Sequence, residues 1–383
     1  MEFPAAFTRL LAQSVGPAHA KKVLEALQGP PSVSLRLNPA KLRACPFPDA
    51  QPVPWSPWGF LLKERPVFTL DPLLHAGCYY VQDTSAMFVG HLFRLAAESL
   101  EPGAAVLDLC AAPGGKTTDL AASLRERFGD RFTLIANEVI RSRYATLRSN
   151  VETWGDPRVG TVSRDPSAFG NAPLFHAMVA DVPCSGEGMF RKDAGALADW
   201  SPENVQHCAA RARRILKDSW PALAPGGILI YSTCTFNAVE NDDTVDWIIR
   251  ELGAEVIVDK ELAPAVKTRN GYLLLPGIVP GEGQYCAALR KKGSAGQLPM
   301  GNPITLLRAE QPVQPDPGYP RVEVDRRSAL QYLHGDAVVL PEGAPTGLVT
   351  LCFQGQPLGP GKNLGKRCNN LYPKAKRIRM DIR

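Results

Sequence analysis

Val106-Leu107-Asp108-Leu109-Cys110-Ala111-Ala112-Pro113-Gly114-Gly115-Lys116-Thr117 is the stretch that decides the fold. Its first five residues form an apolar run of the kind found in strands buried on both faces. Pro-Gly-Gly then breaks the run, and a helical pattern resumes from Lys116. The same alternation recurs on either side. Residues 132–136 read as a strand ending in Asn137-Glu138 and 177–180 as one ending in Asp181-Val182-Pro183-Cys184. Residues 228–231 read as a third, ending in Ser232-Thr233-Cys234-Thr235. Strands alternating with helices predict an α/β, doubly wound, mostly parallel sheet over 66–292, with ligands bound beyond the C-terminal strand ends. The acids and cysteines just named all stand at those ends.

The flanking blocks differ in texture. Residues 1–65 begin with helical spacing at Phe7, Leu10 and Leu11, then Val23, Leu24 and Leu27. They continue in a short strand at 33–38 and a proline-dominated stretch, a small N-terminal α/β domain. Residues 293–320 are rich in Gly, Pro and Gln and read as a linker. Residues 321–383 carry β-like runs at 337–340 and 347–353 between Gly/Pro turns, a small β-rich module. No internal repeat is visible.

Composition narrows the class. Of 383 residues, 45% are hydrophobic and 21% charged, which excludes a wholly disordered, collagen-like or coiled-coil chain. No apolar run approaches the ~18–20 residues of a membrane span. The N-terminal Met1-Glu2-Phe3-Pro4 lacks the order of a signal peptide, so the expectation is a cytoplasmic protein working without a membrane. The nine cysteines are too scattered for a zinc knuckle, so no metal site is expected and the thiols should be free. The net charge of +5 is uneven: from Lys362 to Arg383 there are eight Lys/Arg and one Asp, +7, leaving −2 for the rest. A positive end suits a polyanion such as nucleic acid; a solvated basic tail is the plainer alternative.

The glycine turn lets backbone approach a ligand at a helix N-terminus. Gly115-Lys116-Thr117 matches the tail of a P-loop, but position 110, where that motif needs glycine, is cysteine, and GxGxxG is absent. Glu138, at the end of the second strand, is placed to accept hydrogen bonds from two ribose hydroxyls. Together they point to an adenosine-containing ligand that need not carry phosphate, and S-adenosyl-L-methionine fits. Asp165 is a candidate for the adenine edge, although Asp-Pro is also an ordinary turn signal. Asp181-Val182-Pro183-Cys184 stands where amine methyltransferases carry a segment ending in an aromatic; cysteine there speaks against amine methylation. A zinc deaminase needs Pro-Cys-x-x-Cys and His-x-Glu, and both are missing. Two cysteines at neighbouring strand ends point instead to carbon methylation. The C5 carbon of cytosine is a poor nucleophile until a thiolate adds to C6; a base must then remove the C5 proton and the thiolate must leave. Either cysteine alone reads as an inert core residue; the pair in polar motifs does not.

These strings resemble the Nop/Sun family of RNA cytosine-5 methyltransferases. The matching segments run in order: 108–117, Asp181 to Gly186, Tyr231 to Thr235, and Gly281-Glu282-Gly283. The stretches 187–193, Trp200-Ser201-Pro202-Glu203, Pro54-Trp55-Ser56 and 77–82 are similar to the bacterial RsmF (YebU) branch. Residues 358–362 followed by 370–374 are similar to its PUA-like C-terminal module. The resemblance implies a Rossmann-like S-adenosylmethionine-dependent methyltransferase domain at 66–292, an RNA-binding domain at 1–65 and a PUA-like RNA-binding module with a basic end at 321–383. It also implies Cys234 as the nucleophile, Cys184 in product release, Asp181 on the cytosine edge and Lys116 facing the base. Cys110, Ala111, Ala112, Pro113, Gly114, Gly115, Lys116, Glu138, Arg143, Asp165 and Asp181 would line the S-adenosylmethionine site. The implied reaction is methyl transfer to C5 of cytosine in 16S ribosomal RNA of the small subunit, near the decoding region, through a covalent Cys–C6 adduct. The chain departs from the pattern at Val239, before Glu240-Asn241, and at Gln284-Tyr285, where an aromatic pair is usual.

Two other readings compete. The basic end and the PUA-like module also suit an RNA-binding ribosome assembly factor with an idle pocket, although intact cysteines and an intact glycine turn argue against it. A P-loop nucleotidase rests on Gly115-Lys116-Thr117 alone. The chain is expected to be monomeric.

Overall fold

Ala104–Asp108 forms the central strand of the largest sheet and is buried along its whole length. The computed structural model describes residues 2–170, 173–294, 302–313 and 318–382. Among these residues the sheet has nine strands. Its middle runs Val159–Val162, Phe132–Asn137, Ala104–Asp108, Phe175–Asp181, Leu223–Thr233, Gln284–Lys291. The first five are parallel and the last is antiparallel. The chain builds outward from Ala104–Asp108 on one side, then returns to add Phe175–Asp181 on the other. Doubly wound folds bind ligands at such a reversal, beyond the C-terminal strand ends.

Helices cover both faces, which explains why the strands are continuously apolar. Thr84–Ala96, Gly115–Phe128 and Arg141–Trp154 close one face over Val106, Leu134, Val179 and Ile230. Pro202–Ser219 and Asp242–Glu251 close the other over Leu107, Met178 and Leu229. The N-terminal helices Ala5–Val15 and Pro17–Ala26 join this second layer; Phe7 packs edge-on against Phe190 and Trp200, with ring centroids 5.1 and 5.5 Å apart.

The remaining N-terminal residues build a four-stranded antiparallel sheet in the order Gln51–Pro52, Gly59–Leu62, Val33–Leu37, Tyr79–Val81. The C-terminal module is a second four-stranded sheet, Arg321–Glu323, Gly347–Phe353, Gln356–Asn363, Cys368–Asn370, with the helix Arg326–His334. The two share one apolar core, which includes Leu35, Leu37 and Tyr79 with Tyr332, Leu333 and Leu351. Residues 337–340, read above as a strand, make only an isolated bridge, Val338 to Cys368, and Pro341 follows at once. The helix Arg326–His334 went unread. Its signal is the Asp325 cap, which accepts from Ser328 N at 2.8 Å, ahead of Ala329, Leu330 and Leu333 at helical spacing. Of the stretch 293–320, residues 295–301 and 314–317 lie outside the described residues. Within it, Pro303–Leu307 leads to Glu310, which exchanges backbone hydrogen bonds with Thr161 on the sheet edge.

The basic end is folded rather than trailing. Cys368, Tyr372 and Ile378 are buried in the module core, and Lys376 reaches Glu152 of the central domain at 3.0 Å.

Candidate active site

The turn after Ala104–Asp108 enters its helix through Gly114, whose φ of 112° is a left-handed conformation that a side chain would strain. Thr117 donates to Asp108 Oδ2 at 2.6 Å. Burial pushes the Asp108 carboxyl up to about 7, and the Thr117 hydrogen bond only partly opposes it. Its Oδ1 is buried without a hydrogen-bond partner. At the next strand end Glu138 is 3% exposed; Oε1 accepts from Ile140 N at 2.9 Å, while Oε2 is buried and makes no hydrogen bond. Arg143 Nη1 stands 3.4 Å from Oε2, and Arg143 Nη2 donates to Ala112 O at 2.9 Å, tying the acid to the glycine turn. Burial and the acids Asp108, Asp181 and Glu138 push the Cys110 thiol up, so it is held neutral. Asp165 lies apart from this group: it is exposed and caps the turn Pro166–Phe169, with Oδ1 accepting from Ser167 N and Oγ.

The second cluster comes from three adjacent strands. In register, Asp181 pairs with Ser232, and Thr233 pairs with Tyr285. Asp181 Oδ2 accepts from Lys116 Nζ at 2.8 Å; its Oδ1 accepts from Ser232 Oγ at 2.8 Å and Gln284 Nε2 at 3.0 Å. Burial works against charge on Lys116, but Asp181, with a smaller contribution from Cys234, outweighs it and raises the ammonium above its usual range. Just beyond, Cys184 Sγ and Cys234 Sγ stand 3.2 Å apart as free thiols, neither fully buried. The hydrogen bond between them, then burial, pushes the Cys184 thiol well up, so Cys184 is held protonated.

A buried brace sets this spacing. Glu187 accepts from Phe236 N at 2.6 Å, Asn237 Nδ2 at 3.0 Å and Trp200 Nε1 at 3.1 Å. Glu240 accepts from Ser185 N at 2.8 Å, Ser185 Oγ, and Asn237 Nδ2 at 2.7 Å. Gly188 N closes the join by donating to Cys234 O at 2.8 Å. The loops carrying the two cysteines are thus bound to each other through two acids and one amide. Gly281-Glu282-Gly283 backs them. A Cβ at Gly281 would collide with Ser85 Oγ, and Glu282 Oε2 accepts from Arg191 Nε at 2.7 Å.

Burial raises Glu240 to about 7 from an ordinary 4.5. Between those values the folded chain holds a proton the unfolded chain has released. Stability therefore falls as pH rises from about 4.5 to 7, by up to ~1.4 kcal/mol per unit for this group. In urea unfolding at pH 5 and 7, Glu240→Gln is expected to lose less stability over that interval than the wild-type chain. Equal losses would contradict the assignment.

The structure therefore brings Cys110, Lys116, Glu138, Arg143, Asp181, Cys184 and Cys234 to one sheet edge and leaves Asp165 on its rim. Sequence reading missed Ser232 and Gln284, which only strand register brings to Asp181, and it missed the brace of Glu187, Asn237 and Glu240. Glu187, directly after the Asp181–Gly186 motif, was the one local signal; Glu240 stands five residues beyond Thr235, among other acids.

Comparison with known proteins bears on this arrangement. Residues 96–290 match the family model described as 16S rRNA methyltransferase RsmB/F. Residues 3–84 match the N-terminal domain of 16S rRNA methyltransferase RsmF, and 319–378 match the methyltransferase RsmF PUA domain. The chain is 37% identical over 297 residues to a ribosomal RNA small subunit methyltransferase F of Cronobacter sakazakii, covering 72% of this chain and 60% of that protein. It is 34% identical over 333 residues to the like-named protein of Serratia proteamaculans, covering 82% and 67%. The chain thus spans only about two thirds of the length of these relatives. A methyltransferase homologue from Pyrococcus horikoshii superposes with a TM-score of 0.63 at 26% identity, over 76% of this chain and 95% of that one. The NSun6 structure from the same organism superposes with a TM-score of 0.62 at 16% identity, over 76% and 99%, and shares the fold. With three family models matched in order along its length, the chain belongs to the RsmB/F family of 16S rRNA methyltransferases.

Proposed function

We propose that the chain transfers a methyl group from S-adenosylmethionine to C5 of cytosine in 16S ribosomal RNA, through a transient bond between Cys234 and C6. The observation that carries this reading is the pair of sulfurs 3.2 Å apart beside the Asp181–Lys116 ion pair. Cysteines kept only for packing need no such company.

The residues fit the methyl donor. Asp108 Oδ1 and Glu138 Oε2 are buried acceptors without a hydrogen-bond partner, a state that costs ~1–3 kcal/mol each unless a ligand supplies the donor. The ribose hydroxyls and the ammonium group of S-adenosylmethionine are such donors. Glu138 would hold the ribose, with Arg143 beside it. Residues 110–116 would surround the amino-acid part with Asp108 and Asp181, and Asp165 would meet the adenine from the rim. When bound, S-adenosylmethionine supplies an electrophilic methyl group.

The chain's own residues account for the rest. The Cys234 thiolate adds to C6, forming a C–S bond and making C5 nucleophilic. Lys116 favours the thiolate electrostatically, and the Cys184 S–H is positioned to donate to it. Asp181 and Lys116 orient the base. Once C5 carries the methyl group it must lose its proton; those electrons restore the C5–C6 double bond, and the C–S pair returns to Cys234. Cys184 assists this release. With the Cys234 sulfur committed to the adduct, the hydrogen bond that most strongly held the Cys184 proton is lost.

The target base must leave its stack to reach the sulfurs. Lys362, Lys366, Arg367 and Lys374 are exposed on the C-terminal module and would guide the RNA. Replacing all four with alanine is expected to flatten the salt dependence of RNA binding, by about 0.7–0.9 in the log–log slope for each phosphate no longer neutralised. Methyl-donor binding should not change, and an unaltered slope would show that these residues do not touch phosphate. Truncation from Lys362 is the poorer test because it removes Cys368, Tyr372 and Ile378 from the core. Among the described residues no helix is long and apolar enough to cross a membrane.

The reading is tested by incubating the chain with methyl-labelled S-adenosylmethionine and unmodified small ribosomal subunits, then digesting the RNA to nucleosides. Label in 5-methylcytidine is the expected result; label in any other nucleoside, or none, would overturn it.

A further inference from the structure

Gln284 opens the antiparallel strand Gln284–Lys291, one residue before Tyr285, which pairs with Thr233. It therefore stands at the edge of the strand pair that delivers Cys234. Alternate residues of a strand share a face, so Gln284 looks away from Tyr285. Tyr285 donates instead to Asp242 at 2.8 Å. Gln284 is 2% exposed, and its Nε2 donates to Asp181 Oδ1 at 3.0 Å. Only the amide nitrogen can donate to a carboxylate, so this contact fixes which end of the carboxamide is which. It leaves Oε1 as an open acceptor: among the described residues no donor reaches it. That oxygen is therefore free to accept from a donor that enters the site.

The identity of the missing donor follows from what surrounds it. A carboxylate has about four acceptor sites, and three on Asp181 are taken by Lys116, Ser232 and Gln284. The free acceptors at this point are thus the last site of Asp181 and Gln284 Oε1. Cytosine carries an exocyclic amine, a donor, where uracil carries a carbonyl, an acceptor. We propose that Gln284 is a specificity-determining residue of the base pocket, its Oε1 joining Asp181 in accepting from the exocyclic amine of cytosine and turning uracil away. A uracil carbonyl at that position would face the lone pairs of Gln284 Oε1 and Asp181, the kind of mismatch that discriminates strongly. The inference rests on the methyl-transfer reading above.

The test compares the wild-type chain with Gln284→Leu and Gln284→Met, both close in volume. Labelled methyl transfer is followed on a 16S ribosomal RNA transcript and on one in which the labelled cytidine is replaced by uridine. Both variants are expected to lose about 10- to 100-fold in kcat/KM on cytidine and to narrow the cytidine-over-uridine ratio by a similar factor. S-adenosylmethionine affinity and unfolding midpoint should stay as in the wild type, which separates lost base recognition from lost folding. A wild-type chain that methylates cytidine, with variants whose ratio is unchanged, would overturn the inference alone. A wild-type chain that labels neither transcript would overturn the methyl-transfer reading and this inference with it.

Discussion

Cys234→Ala is expected to abolish methyl transfer, a loss of at least about 10⁴-fold by comparison with removal of other catalytic nucleophiles. No neighbour can substitute. Cys184 is 3.2 Å away, but its hydrogen bond and burial push its thiol well up, and its loop is fixed by Glu187 and Glu240 rather than free to advance. Cys184→Ala should behave differently. Addition to C6 needs only Cys234, so a protein–RNA adduct should form and persist, visible as a denaturant-resistant shift in gel mobility. Appreciable turnover in Cys234→Ala would end the thiolate-addition account. Normal turnover without adduct in Cys184→Ala would remove Cys184 from the release step.

Arg36→Leu carries the largest expected effect on stability. Arg36 sits on the N-terminal strand Val33–Leu37, fully buried. Its Nε donates to Gln82 Oε1 at 2.8 Å and its Nη2 to Gly115 O at 3.1 Å and Thr118 Oγ1 at 2.5 Å. The guanidinium lies 4.9 Å over Trp154 and 3.8 Å from Asp119, itself 1% exposed. Removing the cation leaves Asp119 buried with only Arg94 at 3.2 Å, and breaking such a pair costs ~3–5 kcal/mol. The same arginine binds the first turn of the helix that follows the glycine turn, so methyl-donor affinity should fall along with the urea midpoint. A variant within about 1 kcal/mol of the wild type would show that the latch is not structural.

Arg36 also shows where sequence reading stops. An arginine between Leu35 and Leu37 reads as the outward residue of a half-buried strand, and only the docking of that strand against the helix after the glycine turn reveals it as interior. What could be read was local and continuous. The apolar run through Val106 and Leu107, broken at Pro113-Gly114-Gly115, has one sensible fold. Glu138, Asp181, Cys184 and Cys234 follow similar runs, so a parallel sheet had to gather them at one edge. What could not be read depends on register between distant segments. Ser232 reaches Asp181 from the parallel strand beside its own, and Gln284 from the antiparallel strand next beyond that one. Glu187 and Glu240 look like solvated acids until two loops close over them. The helix Arg326–His334 was hidden by its charge, and the bridge at Val338 was too short for the strand its apolar residues suggested.

The central claim is that Cys234, and not its neighbour, carries the RNA. It is tested most directly by incubating the chain with S-adenosylmethionine and a 16S ribosomal RNA transcript made with 5-fluorocytidine. The C5 fluorine cannot leave as a proton does, so the adduct is trapped. Protease and nuclease digestion followed by mass spectrometry should find the nucleotide on the peptide containing Cys234. A nucleotide on the Cys184 peptide, or no adduct from a preparation that methylates ordinary RNA, would contradict the account.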